Sequence, residues 1–188
     1  MRKKKKQKLK EQQFWSTFAF FSKPQLPDCV PTHLERVNFR IWNSVTDEEI
    51  ELMVTHVRSI NMLDLDETEI TNDAIEQLTK LSFIKELRLK GCTDINDGAI
   101  VHINNIKGLE LLHLGGTSIS INGLLQLSAD HPLQTLLVSV DDTEKELNNL
   151  TILAKRFPKC QLIVNHKDFV LLKADDDWSA ENFNPYVH

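Results

Sequence analysis

The sequence has little of what marks disulfide-rich, membrane-spanning or secreted chains. It holds three cysteines in 188 residues, Cys29, Cys92 and Cys160, with no C-x-x-C pair and no histidines at metal-ligand spacing, so neither a disulfide framework nor a zinc site is indicated. No apolar run approaches the roughly 18 residues needed to cross a bilayer. The apolar stretch behind the lysine-rich start is short and lacks the small-residue cleavage site of a signal peptide. These absences predict an intracellular, cytoplasmic protein with reduced thiols.

Catalytic motifs are also missing. The chain contains no G-x-S-x-G nucleophile elbow, no G-x-x-x-x-G-K-[ST] phosphate loop and no H-E-x-x-H zinc motif. Gly115 and Gly116 stand before Thr117, but a lone glycine pair carries no phosphate fingerprint, and a turn explains it better. We therefore expect no enzyme, no cofactor, no bound metal and no small-molecule substrate.

Basic residues are concentrated at one end of the chain. Residues 1–23 hold eight of the 22 lysines and arginines and one acid, Glu11, so this arm carries +7 and the remaining chain −12. Lysines and aromatic rings suit an anionic membrane surface, so an alternative function is that of a peripheral membrane-associated assembly or scaffold factor docked by this arm. They equally suit a partly disordered tail joined to a short helix that caps the fold, which is favoured because termini are usually poorly ordered. The acidic remainder argues against a nucleic-acid partner. The aromatic residues of the arm are Phe14, Trp15, Phe18, Phe20 and Phe21.

What the sequence does contain is an internal repeat. Apolar doublets recur at offsets of 24 to 26 residues, and each is typical of a short strand whose two apolar side chains point inward with a period of two. A fixed period of this length is the signature of a solenoid. The doublets are Val37-Asn-Phe39, Leu63-Asp-Leu65, Leu87-Arg-Leu89, Leu112-His-Leu114, Leu136-Leu-Val138 and Leu162-Ile-Val164.

A turn and a helical pattern follow the doublets. The turns place Thr68, Cys92 and Thr117 three residues after the last inward residue of their strands. Apolar spacings of three and four residues then predict helices, and the sequences at 46–49 and 143–146 fit capping boxes. The helical stripes are Ile75, Leu78, Leu81 and Ile84; Ile100, Ile103, Ile106 and Leu109; Leu124 and Leu127; and Leu147, Leu150 and Leu153.

Two segments, 60–70 and 84–92, fit the L-x-x-L-x-L-x-x-(N/C)-x-L signature, with Thr68 or Cys92 at the Asn/Cys position. On these residues the chain resembles the leucine-rich repeats, and most closely the cysteine-containing subtype found in bacterial repeats and F-box proteins. The match is specific over residues 60–140 and looser on both flanks. Too few residues lie between Pro24 and the first strand for an F-box, so ubiquitin-ligase adaptor function is not implied.

The resemblance implies an α/β leucine-rich-repeat solenoid, with short parallel strands on a concave face and helices on a convex face, in about five repeats plus a terminal strand. We expect residues 1–23 to form the basic aromatic arm, 24–36 an N-terminal cap, 37–164 the repeat domain and 165–188 a C-terminal cap with an acidic tail.

Repeat proteins commonly bind partners on the concave face. The outward strand positions are therefore the candidate site for a protein partner, whose identity the sequence does not reveal. These positions form columns ahead of, within and after the doublets. The candidate residues are Arg36, Asn38, Arg40, Met62, Asp64, Asp66, Glu86, Arg88, Lys90, Leu111, His113, Leu137 and Ile163.

Three of these outward residues, Leu111, Leu137 and Ile163, are apolar. An exposed apolar patch usually marks an interface. The alternative is that the C-terminal segment covers the patch. Both explanations remove the patch from water, so the sequence leaves them open; the candidate plugs are Phe169, Leu171 and Trp178.

Three acidic residues, Asp64, Asp66 and Glu67, cluster at one strand exit. Several oxygen ligands suit a hard cation. The sequence favours instead a solvated acidic rim that faces Arg88 and Lys90 on the next strand, because opposite charges attract each other across strands.

Overall fold

The computed structural model of the chain describes residues 9, 11, 13–15, 31–40 and 45–170. Their strands form one open sheet of seven strands, arranged in the order of the chain. Neighbours pair in parallel from the first strand to the sixth, and the seventh is antiparallel. The strands are β1 (His33–Asn38), β2 (Ser59–Asp64), β3 (Phe83–Arg88), β4 (Leu111–His113), β5 (Thr135–Val138), β6 (Gln161–Val164) and β7 (Lys167–Asp168).

Helical segments connect the parallel strands, and their buried residues share one core with the strands. The predicted α/β class is thus confirmed, and so is the parallel pairing of β1 to β6, whereas the antiparallel β7 was not predicted. The helices are α1 (Asp47–His56), α2 (Asn72–Leu78), α3 (Ile100–Ile103), α4 (Ile121–Leu124) and α5 (Leu147–Arg156), and a 3₁₀ turn (Asp97–Ala99) precedes α3.

The first residues of the apolar doublets pair with one another from strand to strand and so define the register of the sheet. Val37 pairs with Leu63 and Leu63 with Leu87, and Leu112, Leu136 and Leu162 continue the same inward column. All six side chains are at most 4% exposed. A slip of one residue would turn these leucines to the outer face, so burial fixes the register.

The first three strands are longer than the doublets predict. β3 begins at Phe83, and its Ile84 pairs with Ile60 of β2. The assignment of Ile84 to a helical stripe is therefore wrong. The helix α2 ends at Leu78, because a repeat of 24 residues leaves few positions for a helix once the chain has returned to the next strand.

Of the two predicted capping boxes, one is present. Thr46 caps α1, and Glu49 bonds back to the Thr46 backbone. The second is wrong: α5 begins at Leu147 without a side-chain cap. The carboxylate of Asp142 instead accepts the backbone N–H groups of Glu144 and Lys145, which makes residues 142–146 a turn.

Successive units are joined by a ladder of side chains at their helix starts. In α1, α2 and the 3₁₀ turn, the side chain of the first residue accepts the backbone N–H of the residue that caps a helical segment in the next unit, and so provides a partner for one of the orphan donors of a helix start. The pairs are Asp47 with Thr71 (2.8 Å), Asn72 with Asn96 (3.1 Å) and Asp97 with Ser120 (2.7 Å).

Strand exits share a left-handed residue. Glu67, Gly91 and Gly116 have φ of 62°, 74° and 73°, at equivalent places in successive units. The turn predicted at Gly115 and Gly116 is therefore present, and glycine suits position 116 because it adopts positive φ without a steric penalty.

Aromatic residues of the N-terminal arm pack onto the first unit. Phe14 and Trp15 are 6% and 0% exposed. Phe14 stacks on Phe39 with ring centroids 6.4 Å apart, and Trp15 meets His56 edge to face at 5.6 Å. Glu11 accepts a hydrogen bond from the His56 ring at 2.7 Å. These contacts are of the kind that the capping alternative predicts; Phe18, Phe20, Phe21 and the lysine run lie outside the described residues.

Candidate partner-binding face

The strand residues that alternate with the inward column form what we call the outer sheet face. Its central row runs across the strands in register and changes from polar to apolar along the way. All of its members are partly buried. The row consists of Asn38, Asp64, Arg88, His113, Leu137 and Ile163.

A second row lies two residues earlier on each strand. It pairs Arg36 with Met62, Met62 with Glu86 and Glu86 with Leu111. The structure therefore brings ten of the thirteen predicted residues together on two adjacent rows. The other three, Arg40, Asp66 and Lys90, follow their strands at the exit turns.

Asp66 is not part of a solvated rim, and that prediction is wrong. Its side chain is buried, the residue being only 5% exposed, and its carboxylate accepts the backbone N–H of Lys90 at 2.8 Å. Burial raises the pKa of Asp66 above its ordinary value, and the nearby charge of Asp64 adds to the rise. Asp64 is itself turned to the backbone, since its Oδ1 accepts the N–H of Asp66 at 3.1 Å.

His113 sits between the polar and the apolar parts of the central row. Burial lowers the pKa of His113, and the charges of Lys90 and Arg88 add to that effect while Asp66 opposes it. Neutral imidazole is thus favoured at neutral pH. The backbone of Gly115, which follows this strand, packs closely against the His113 ring: a Cβ atom on Gly115 would lie 3.1 Å from the His113 Nε2.

Arg88 forms one side-chain hydrogen bond within the described residues. Its Nη2 donates to Glu86 at 3.4 Å, at the long end of hydrogen-bond geometry. Its Nε is buried and has no hydrogen-bond partner among the described residues. The Nε atom is closed off from solvent, so only the Nη groups of this side chain, which is 35% exposed, could contact another molecule.

The apolar patch of Leu111, Leu137 and Ile163 is not plugged by Phe169. The Phe169 backbone N–H bonds to the carbonyl of Leu162, an inward residue, and the Phe169 ring packs against the core. It closes the end of the sheet beside α5, where it lines a groove of about 490 Å³ with Phe157. The other two predicted plugs, Leu171 and Trp178, lie outside the described residues.

The hydrogen-bond partner of Asp66 could not be found by pattern reading. The sequence predicted a solvated acidic rim of Asp64, Asp66 and Glu67 that faces Arg88 and Lys90, whereas Asp66 is buried and its carboxylate accepts the Lys90 backbone N–H. The run Asp64-Leu-Asp66 signals only the neighbouring contact, in which Asp64 accepts the N–H of Asp66, because a carboxylate two residues before an N–H commonly bonds to it.

Among the described residues, no group of three or more His, Cys, Asp or Glu side chains is placed to hold a metal ion. The helices of the described ranges include none that is both long and apolar enough to cross a membrane. Comparison with protein-family models found no match, and comparison with curated proteins found no matching relative.

Proposed function

We propose that the chain is a leucine-rich-repeat solenoid that acts in the cytoplasm as a non-catalytic module, binding a protein partner through the outer sheet face. The repeat assignment rests on the period of 24 to 26 residues and on the equivalent turn residues Thr68, Cys92 and Thr117. The two threonines donate to the carbonyl three residues earlier, at 2.7 and 2.8 Å. Cys92 donates to the Leu65 carbonyl at 3.0 Å.

One observation carries the binding proposal. Leu111, Leu137 and Ile163 occupy outward positions on three successive strands, next to the incompletely paired Arg88. Outward positions of a sheet in water need no apolar side chains for the fold, and apolar patches rimmed by polar residues commonly mark interaction sites.

A cytoplasmic setting fits the thiols. Cys92 and Cys160 are both free, and burial raises the pKa of the Cys92 thiol above its ordinary value and that of Cys160 to about 11. Unpaired, unreactive cysteines suit a reducing compartment.

The membrane-docking alternative loses two of its five aromatic anchors. Phe14 and Trp15 lie in the protein core, so they are not available to enter a bilayer. A liposome test of the arm should therefore replace Lys3, Lys4, Lys5 and Lys6 by Gln rather than delete residues 1–23, because deletion would also open the core.

The binding proposal is tested by affinity capture from the native cell extract with three full-length proteins. The first is unchanged, the second carries Leu111→Glu with Leu137→Glu, and the third carries Val101→Glu with Ile152→Glu. Val101 and Ile152 are 60% and 52% exposed on helices, so the third protein is a charge-matched control. Circular dichroism verifies that all three fold.

We expect a partner that is captured by the unchanged and control proteins and lost from the face variant. Equal capture by all three would place binding elsewhere and overturn the proposal.

A further inference from the structure

We propose that the groove beside α5 is filled by the chain's own C-terminal segment, residues 171–177, with Leu171 packed against Phe169 and Cys160. The segment then caps the core side of the last described unit and leaves the outer sheet face open. The inference goes beyond the proposed function and does not depend on it.

The groove lies at the end of the described stack, where no further unit covers the core side of α5 and β6. It has a volume of about 490 Å³, and most of the residues that line it are apolar. The terminal units of a solenoid need capping, because each unit buries its apolar face only against a neighbour. The apolar lining residues are Ala154, Phe157, Pro158, Leu162, Phe169 and Val170.

The direction of the segment follows from the β6–β7 hairpin. A two-residue turn at Asn165 and His166 sets Val164 opposite Lys167 and Ile163 opposite Asp168. The Phe169 N–H donates to the Leu162 carbonyl at 2.8 Å, so the antiparallel pairing continues one step beyond β7.

Two further steps in the same register bring Leu171 opposite Cys160. Side chains that lie opposite each other in an antiparallel pair share one face of the sheet, and Leu162 and Phe169 both pack on the core. Leu171 is two residues after Phe169 and therefore falls on the same face. Cys160 lines the groove and is only partly buried, so Leu171 would cover its thiol.

The groove is also the apolar surface nearest to the segment. Val170 lines the groove and is 72% exposed, and the two residues that follow it are both leucine. A segment joined to its site by so short a link has a high effective concentration there, of about millimolar or more. A separate chain would have to compete with it.

Charge favours the same occupant. Three exposed basic residues stand at the end of α5 and in the loop to β6, and none of them forms a salt bridge within the described ranges. Residues 171–188 contain one lysine and four acids, a net charge of −3, with three of the acids in the run 175–177. Five extended residues from Val170 cover about 16 Å, so the run can reach the opposite charge at the groove. The basic residues are Lys155, Arg156 and Lys159.

The test compares three full-length proteins: the unchanged chain, Leu171→Ser and Leu172→Ser. Leu172 alternates with Leu171 and falls on the other face of the hairpin, so its replacement is the matched control. Alkylation of Cys160 by iodoacetamide at one fixed pH is followed by peptide mass spectrometry. Cys92 is fully buried, so its resistance to alkylation verifies that each protein is folded. Nuclear Overhauser contacts of the Leu171 methyl groups are measured in the unchanged protein.

We expect Leu171→Ser to raise the rate of Cys160 alkylation about ten-fold, the factor that corresponds to burial of one leucine side chain. Leu172→Ser should change the rate by less than about two-fold, as for an exposed position. The Leu171 methyl groups should contact the Phe169 ring, and the Cys160 rate should not depend on protein concentration.

Three results would overturn the inference. The first is an equal Cys160 rate in all three folded proteins, or an equal increase from both substitutions. The second is contact of the Leu171 methyl groups with Leu137 or Ile163, which would place the segment on the outer sheet face. The third is protection of Cys160 that grows with protein concentration, which would make a second copy the occupant of the groove.

Discussion

A Cβ atom on Gly123 would lie 2.2 Å from Oδ1 of Asp97. Asp97 reaches across from the preceding unit to accept the backbone N–H and the hydroxyl of Ser120, both at 2.7 Å. Ser120 in turn caps α4 by accepting the N–H of Gly123 at 3.0 Å. Because Gly123 has no side chain, the Asp97 carboxylate can occupy the space that a Cβ atom at position 123 would fill.

Gly123→Ala should destabilise the protein by about 1–3 kcal/mol, because the new methyl group displaces the Asp97 carboxylate. Asp97→Ala should cost a similar amount through the two lost hydrogen bonds. The double variant should cost less than the sum by about 0.5 kcal/mol or more, since both changes act on one contact. Urea unfolding of the four proteins measures this coupling, and strict additivity would contradict the steric account.

Trp15→Ala should lower the free energy of unfolding by about 3–5 kcal/mol, the usual cost of removing a fully buried tryptophan. Leu9→Ala is the matched control in the same segment. Leu9 is 56% exposed, so its replacement should change stability by no more than about 0.5 kcal/mol. Denaturant midpoints compare the two, and equal effects would show that the indole does not pack as described.

Asp66→Asn should stabilise the protein at neutral pH. Burial raises the pKa of Asp66 in the folded state, so the folded protein binds that proton more tightly than the unfolded chain, and stability falls as pH rises from the ordinary value of 3.8 through the raised pKa. Asparagine keeps an acceptor for the Lys90 N–H and removes the charge. The gain should fade as the pH is lowered below 3.8.

Asp142→Asn is the contrasting control for Asp66. Backbone and side-chain hydrogen bonds from Lys145 lower the pKa of Asp142, so its contribution is present above the ordinary value of 3.8 and is lost as pH falls through the lowered pKa. The substitution should therefore reduce stability at neutral pH. Unfolding free energies across pH would contradict the assignment if the two variants shifted in the same direction.

Cys92 should resist alkylation in the folded protein. It is fully buried, and burial raises the pKa of its thiol, so little thiolate is present to react. Peptide mass spectrometry after iodoacetamide treatment at about pH 8, near the ordinary pKa of a thiol, should find Cys92 modified only when urea unfolds the core. Modification at the rate of the denatured chain, without urea, would contradict the burial.

The position of every parallel strand could be predicted, because the doublets repeat with a period of two inside a period of 24 to 26 residues. The strand starts could not. Ile84 satisfies both a helical spacing from Leu81 and the L-x-x-L spacing to Leu87 of the repeat signature, and only its pairing with Ile60 decides between them. Short apolar runs are ambiguous in this way until tertiary contacts are known.

The candidate face was predictable as a set of columns, but its electrostatics were not. Sequence spacing places Asp66 opposite Lys90, yet it does not tell whether the carboxylate meets the ammonium group or the backbone N–H, and the structure has the latter. Likewise, the packing of Trp15 depends on His56, some 41 residues along the chain, and no local pattern carries such a contact.

The reversal at β7 has a consequence for self-association. Asn165 and His166 turn the chain through positive φ, and β7 then lies antiparallel on β6, with Ile163 opposite Asp168. A flat sheet edge with free N–H and C=O groups is a template on which other chains add strands and aggregate. Here the edge of β6 is occupied by β7, a two-residue strand of Lys167 and Asp168. Because β7 is short and charged, it offers little template for a further strand, so the hairpin hinders other chains from adding to this end of the sheet.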